Sequence, residues 1–286
     1  MSKINKILPR ESEFTSVIGS IAHMPTKLYY RGVLPEKRVK SVAIVGTRKP
    51  TAYGQEFAYK LARELAEKGV VVVSGLALGI DAVAHRGALD AGGVTVAVLG
   101  SGIDDITPRT NKRLGERILD EGGAILSEYE PGHPAMPGQF LARNRIVSGL
   151  SDAVIVIEAA KRSGTLATAS YGLNQGKSVF ALPGRVSDAM SAGCLALLKQ
   201  GATPVACVED VLEVIAPEKL EQVTLGFDGD SEVERKIVKM IRSGVNDGEV
   251  IAAGAGVSVG EFNQAVTMME LKGTIRALGA NRWMLR

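Results

Sequence analysis

Apolar residues arrive in short, β-branched bursts through the middle of the chain. "SVAIVG" (41–46), "VVVVSG" (70–75), "VTVAVLG" (94–100), "AILSE" (124–128), "AVIVIEA" (153–159) and "SVFALPG" (178–184) each run apolar on consecutive positions, most closing on Gly or Ser. Runs without polar alternation predict strands covered on both faces. Helix-length stretches separate them: in "YGQEFAYKLARELAEKG" the residues Phe57, Leu61 and Leu65 recur at four-residue spacing. Strands alternating with helices predict an α/β domain, a doubly wound parallel sheet over 41–216. Residues 1–40 read as a lead-in segment.

The pattern changes after that. "PEKLEQVTLGFDGD" (217–230) mixes Pro, Gly and acids without periodicity and predicts a linker. Beyond it, "SEVERKIVKMI" puts Val233, Ile237, Val238 and Ile241 on one helical face with Ser231 as cap. "DGEVIAAGAG" and "SVGEFNQAVTMMELKG" predict two more helices, and "TIRALGANRWMLR" a hairpin around Gly-Ala-Asn. Three helices and a hairpin over 231–286 predict a small winged-helix domain. Its third helix, with Glu261, Asn263, Gln264 and Thr267, carries little positive charge for a duplex groove.

In a doubly wound sheet, ligands bind beyond the carboxyl ends of the strands. The residues there are Gly46, Thr47 and Arg48; Ser74, Gly75 and Leu76 in "SGLALGIDAVAHRGAL"; Gly100, Ser101 and Gly102; Ser127 and Glu128; Glu158 followed by "KRSGT"; and Pro183, Gly184 and Arg185. Glycines let backbone amides approach a ligand, and helix N-termini favour anions, so this edge suits phosphate. Arg162, Ser163, Gly164 and Thr165 are the sharpest instance. The first turn, "GTRKPTAYG", is not GxGxxG, the next strand ends on Ser74 rather than an acid, and the Walker pattern is absent. No dinucleotide or other cofactor is expected. Arg48 can fork onto a phosphate, which favours a nucleic-acid backbone or a nucleotide monophosphate.

Catalytic groups are sparse. His85 follows Asp81 by four residues and reads as structural; "VSGLA" is not a hydrolase elbow; Glu158, without a partner acid, reads as a carboxylate receiving backbone amides. Cys194 and Cys207 have no metal-ligand spacing. The net charge of +3 is too small to argue nucleic-acid binding from totals, although both ends are locally positive. Residues 1–40 hold eight Lys or Arg against three acids, and the last sixteen residues hold Lys272, Arg276, Arg282 and Arg286 against none. No apolar stretch is long enough to span a bilayer and the N-terminus lacks a secretory apolar region, so a cytoplasmic protein is expected.

Several ordered motifs bear a resemblance: "LYYRG", "VAIVGTRKPTAYG", "VVSGLALGIDAVAHRGAL", "VAVLGSGIDDITPRTN", "GGAILSEYEPGHP", "FLARNRIVSGLSDAVIVIEAAKRSGTLATA" and "GKSVFALPG". From residue 28 to about 215 the chain resembles the DNA-processing protein A family, also called DprA or Smf. The resemblance implies an extended Rossmann-like domain that binds single-stranded DNA, forms a homodimer, protects incoming DNA and loads a RecA-type recombinase in natural transformation. It implies no enzymatic activity. The expected nucleic-acid site comprises Gly46, Thr47, Arg48, Ser74, Gly75, Gly102, Phe140, Arg143, Asn144, Arg145, Arg162, Ser163, Gly164 and Thr165, with Arg48, Arg143 and Arg145 offered to phosphates and Phe140 placed to stack on a base. The alternative is an enzyme of the phosphoribohydrolase type, whose PGGxGTxxE signature is matched only by "SGTLATA", without the acid.

Overall fold

Each apolar run becomes a strand, and three further strands that the pattern does not announce join them. The computed structural model describes residues 3–220, 229–279 and 281–285, and the chain divides into two units, Met1–Ala216 and Pro217–Arg286. In the first unit the strands are Asn5–Ile7 (β1), Leu28–Gly32 (β2), Ser41–Val45 (β3), Val71–Ser74 (β4), Thr95–Leu99 (β5), Ala124–Ser127 (β6), Ala153–Val156 (β7), Ser178–Ala181 (β8) and Thr203–Pro204 (β9). Among the described residues they form one sheet in the order β1-β2-β6-β5-β4-β3-β7-β8-β9. From β6 to β9 all pairings are parallel. This is the doubly wound α/β sheet expected.

Burial explains the pattern. Every residue of β3 to β7 is buried, because helices cover both faces. These are Glu13–Ser16 (α1), Ala52–Glu67 (α2), Ile80–Asp90 (α3), Lys112–Asp120 (α4), Pro137–Leu150 (α5), Thr165–Asn174 (α6), Ala192–Lys199 (α7) and Val208–Ile215 (α8). Helix α2 starts where the Thr51 hydroxyl accepts the Gly54 amide at 3.2 Å, an N-cap worth about 1 kcal/mol, and it buries Ala58, Leu61, Ala62 and Leu65. On the face covered by α5, Ile146, Val147 and Leu150 pack with Val45, Val73, Val98 and Val156.

The first forty residues differ from a lead-in. β2 pairs antiparallel with β6, and β1 antiparallel with β2, so they extend the sheet beyond its parallel part. Phe14, Ile18 and Leu28 are fully buried in the main core; each contributes roughly 1.5–3 kcal/mol by burial. The segment was opaque because its apolar residues are thinly spread and interrupted by charge.

In the second unit, helices Glu232–Arg242, Gly248–Ala255 and Val259–Leu271 precede an antiparallel hairpin of Ile275–Gly279 and Arg282–Leu285. Ser231 caps the first helix by accepting the Glu234 amide, and Ser258 forms a capping box with Glu261. Ile237, Val238, Ile241, Ile251, Phe262, Val266, Met269 and Ile275 form a core of their own. Most of the expected linker 217–230 lies outside the described residues.

Candidate nucleic-acid interface

The sheet order reverses at β3. The chain leaves β3 toward β4, β5 and β6 on one side and returns to β7, β8 and β9 on the other, which opens a crevice beyond the carboxyl ends of β3 and β7. Two turns wall it: Gly46–Pro50 after β3 and Ala160–Gly164 before α6. They are tied together, since Thr165 Oγ1 donates to the Gly46 carbonyl at 3.0 Å and the Thr47 amide donates to Glu158 O at 2.7 Å.

The crevice is a cleft of about 560 Å³. Of the expected residues it brings together Gly46, Thr47, Arg48, Phe140, Arg143, Asn144, Arg162, Ser163, Gly164 and Thr165, and it adds Lys49, Ala77, Asp81, Pro137, Leu141, Ala160, Thr168 and Met190. Arg48, Lys49 and Arg162 are exposed, and no carboxylate pairs with them among the described residues. The amides of Ser163 and Gly164 find no acceptor among the described residues, whereas Thr165 and Leu166 donate back to Ser163. Unpaired cations beside open amides at a helix start make an anion site. Lys49 was legible as the neighbour of Arg48; Met190, whose sulfur accepts from Thr47 Oγ1 at 3.6 Å, had no signal in sequence.

Four expected residues serve the scaffold instead. Arg145 does not line the cleft: its guanidinium forks onto Glu128 at 2.8 and 2.6 Å and donates to His23 O at 2.8 Å. Ser74 is buried, its hydroxyl donating to Ile44 O at 2.7 Å across the strands. Gly102 lies in the loop after β5, where its amide donates to His133 O. Gly75 lies beside the large cleft without lining it; an added Cβ would fall 2.4 Å from Arg143 Nη2, so only glycine admits that guanidinium.

Arg143 lines the cleft, but the fold claims its Nη1 and Nε donors. Nη1 donates to Gly75 O at 2.7 Å and also to Val98 O, and Nε donates to Asn144 Oδ1 at 3.2 Å. Burial pulls its pKa down to about 10, which leaves it charged at neutral pH. Asp81 is the nearby carboxylate. It accepts the Gly75 amide at 3.0 Å and the Ala77 amide at 3.4 Å, and burial pushes its pKa up against the pull of Arg143. Desolvation outweighs mutual attraction for both groups. Asp81 thus fills the concavity of the second turn with the protein's own carboxyl group.

The other candidate catalytic groups are also built into the scaffold. Glu158 accepts the Thr51 amide at 2.9 Å and the Thr51 hydroxyl at 2.5 Å under the start of α2, the amide-receiving role read from sequence. His85 is buried, with Nδ1 at 2.7 Å from Thr95 Oγ1, and burial drops its pKa to about 3. Among the described residues, no His, Cys, Asp and Glu cluster could hold a metal and no helix is long and apolar enough to cross a membrane.

Known proteins share this architecture. The family model described as DNA recombination-mediator protein A matches residues 5–216, from β1 to the end of the first unit. Protein Smf of Escherichia coli K12 is 37% identical over 288 residues, covering 95% of this chain and 75% of its own length. DNA processing protein DprA of Streptococcus pneumoniae is 43% identical over 195 residues, 68% of each chain. The X-ray structure of DNA processing protein A from Streptococcus pneumoniae superposes with a TM-score of 0.69 at 38% identity over 74% of this chain and 75% of that one. The Helicobacter pylori protein, solved for its unique single-stranded DNA binding mode, superposes with a TM-score of 0.64 at 33% identity over 74% and 97%. With residues 5–216 matched by the family model and relatives 37% and 43% identical, the chain belongs to the DNA recombination-mediator protein A family.

Proposed function

We propose that this protein is a non-enzymatic binder of single-stranded DNA that holds the phosphate backbone in the cleft between the β3 and β7 turns, protects the strand and hands it to a RecA-type recombinase. The observation that carries this reading is the set of exposed, unpaired cations Arg48, Lys49 and Arg162 beside the open amides of Ser163 and Gly164. Such a cleft grips a flexible backbone and offers no helix to a duplex groove. The single-strand binding of the Helicobacter pylori relative supports it. A homodimer acting in the cytoplasm, in DNA processing and natural transformation, completes the proposal. The second unit is read as a winged helix; the neutral to acidic outer side of Val259–Leu271 favours a protein contact over duplex DNA.

Gel shifts of equal-length single and double strands over a salt series test the proposal. Preference for single strands, weakening with salt, is expected; equal affinity for duplex at matched salt refutes it. The phosphoribohydrolase alternative needs a carboxylate free to act on a nucleotide, whereas Asp81, which lines the cleft, and Glu158, at the end of the β7 segment, hold backbone amides. Release of free base from nucleoside monophosphates would revive it.

A further inference from the structure

Beyond the phosphate cleft, the same sheet edge carries a pair of rings that the phosphate site does not use. After β6 the chain makes the Pro- and Gly-rich loop "EYEPGHPAMPG" (128–138), on which Tyr129 and His133 stack with ring centroids 4.8 Å apart and planes 15° from parallel. Both rings are half-buried. The pair is pinned from several sides. The Tyr129 amide donates to Ser127 Oγ at 3.0 Å, the Gly132 amide to Asp104 Oδ1 at 2.9 Å and the Gly102 amide to His133 O at 2.9 Å. Gln139 Oε1 accepts the Met136 amide, which turns its Nε2 toward His133 Nε2 at 2.5 Å and makes that ring nitrogen the acceptor. Of the two carboxylates that flank Tyr129 in the chain, Glu128 is held by Arg145 at 2.6 Å and Glu130 is met by Lys27 at 3.5 Å.

The pair also stands next to the cleft. A Cβ built on Gly102 would lie 2.9 Å from the His133 amide, and one on Gly100 would lie 3.0 Å from Phe140 Cδ1. His133 Nε2 lies 2.5 Å from Gln139 Nε2, Gln139 directly precedes Phe140 in the chain, and Phe140 lines the cleft. Rigid, partly open rings beside a phosphate site suit a base, because every base has a π-face.

We propose that the Tyr129–His133 pair is a stacking shelf for the nucleobase adjoining the nucleotide held in the cleft, a proposal that rests on the single-strand reading above. The base adds to the two rings as a third layer.

The full-length protein is titrated by fluorescence anisotropy with a labelled fifteen-thymidine strand. His133→Ala is expected to weaken binding about fivefold to twentyfold, and His133→Phe, which restores a ring, to return within about twofold. A strand carrying 5-iodouracil, irradiated on the wild-type protein, should form adducts mapping to Tyr129 or His133, which a purely structural ring pair would not give and which needs no variant to fold. A folded His133→Ala protein of wild-type affinity, or adducts confined to residues outside the 128–138 loop, overturns the shelf. Failure of the wild type to bind the strand at all overturns the single-strand reading, whereas loss of binding in Arg48→Ala but not in His133→Ala removes the shelf alone.

Discussion

Arg143→Met separates a strut from a ligand contact. The guanidinium joins the carbonyl of Gly75, just past β4, to that of Val98 in β5, and it is 5% exposed. Methionine fills much of the stem's volume but withdraws the charged donor from two buried carbonyls and the nearby cation from Asp81. Breaking one side of a buried charge arrangement costs about 3–5 kcal/mol, and hydrogen bonds to charged groups about 1.5–3 kcal/mol each, so a loss of roughly 3–5 kcal/mol is expected. Gly75→Ala should cost a comparable amount, since its Cβ would fall 2.4 Å from Nη2. The two changes should not add: once the guanidinium is gone, the alanine no longer collides with it, and the cycle should show about 1–3 kcal/mol of coupling. Urea unfolding of both single variants and the double variant, with m-values compared to the wild type, reads these quantities. An Arg143→Met protein within about 1 kcal/mol of wild-type stability that no longer binds single strands would refute the reasoning and make Arg143 a phosphate ligand.

Arg48→Ala should retain its melting temperature yet bind single strands about tenfold to a hundredfold more weakly, with Arg48→Lys restoring part of the loss; wild-type affinity in anisotropy would remove the first turn from the site. Ending the chain at residue 216 should leave a folded unit that still binds single strands, because the second unit has its own core; a soluble fragment that binds nothing would move the site. His85, whose pKa burial lowers to about 3, is neutral in the fold but takes a proton when unfolded below about pH 6.5. Its stability contribution is complete above that pH and declines as pH falls toward 3, by about 2 kcal/mol at pH 5. His85→Gln should flatten this part of the stability curve, and parallel wild-type and variant curves would refute the assignment.

The six central strands were legible because burial on both faces leaves a mark no other local structure makes: consecutive β-branched residues of strand length ending on glycine or serine. From that, the carboxyl edge and its turns followed by geometry alone, and with them most of the cleft. β1, β2 and β9 were not legible, since three- and five-residue strands at a sheet edge and a two-residue strand ending on Pro204 carry too few apolar positions to stand out. Nor could sequence sort its arginines. Arg143 and Arg145 sit one residue apart around Asn144, yet their acceptors Gly75 and Glu128 lie 68 and 17 residues away, and only the folded chain shows that these guanidiniums are committed while Arg48 is open.

The antiparallel annex at the sheet's edge bears on the order in which the polypeptide can mature on the ribosome. Tyr29 lies opposite Ser127 and Gly32 opposite Ala124, so the first strands to emerge must wait for about a hundred further residues before their template exists. In that interval Phe14, Ile18 and Leu28 have no core to enter. Pairing of such high sequence separation is slow, because loop closure precedes any reward from contact. β2 can therefore join the sheet only after β6 has been synthesised, and until then the apolar side chains of the leading end wait without the core they fill in the folded chain.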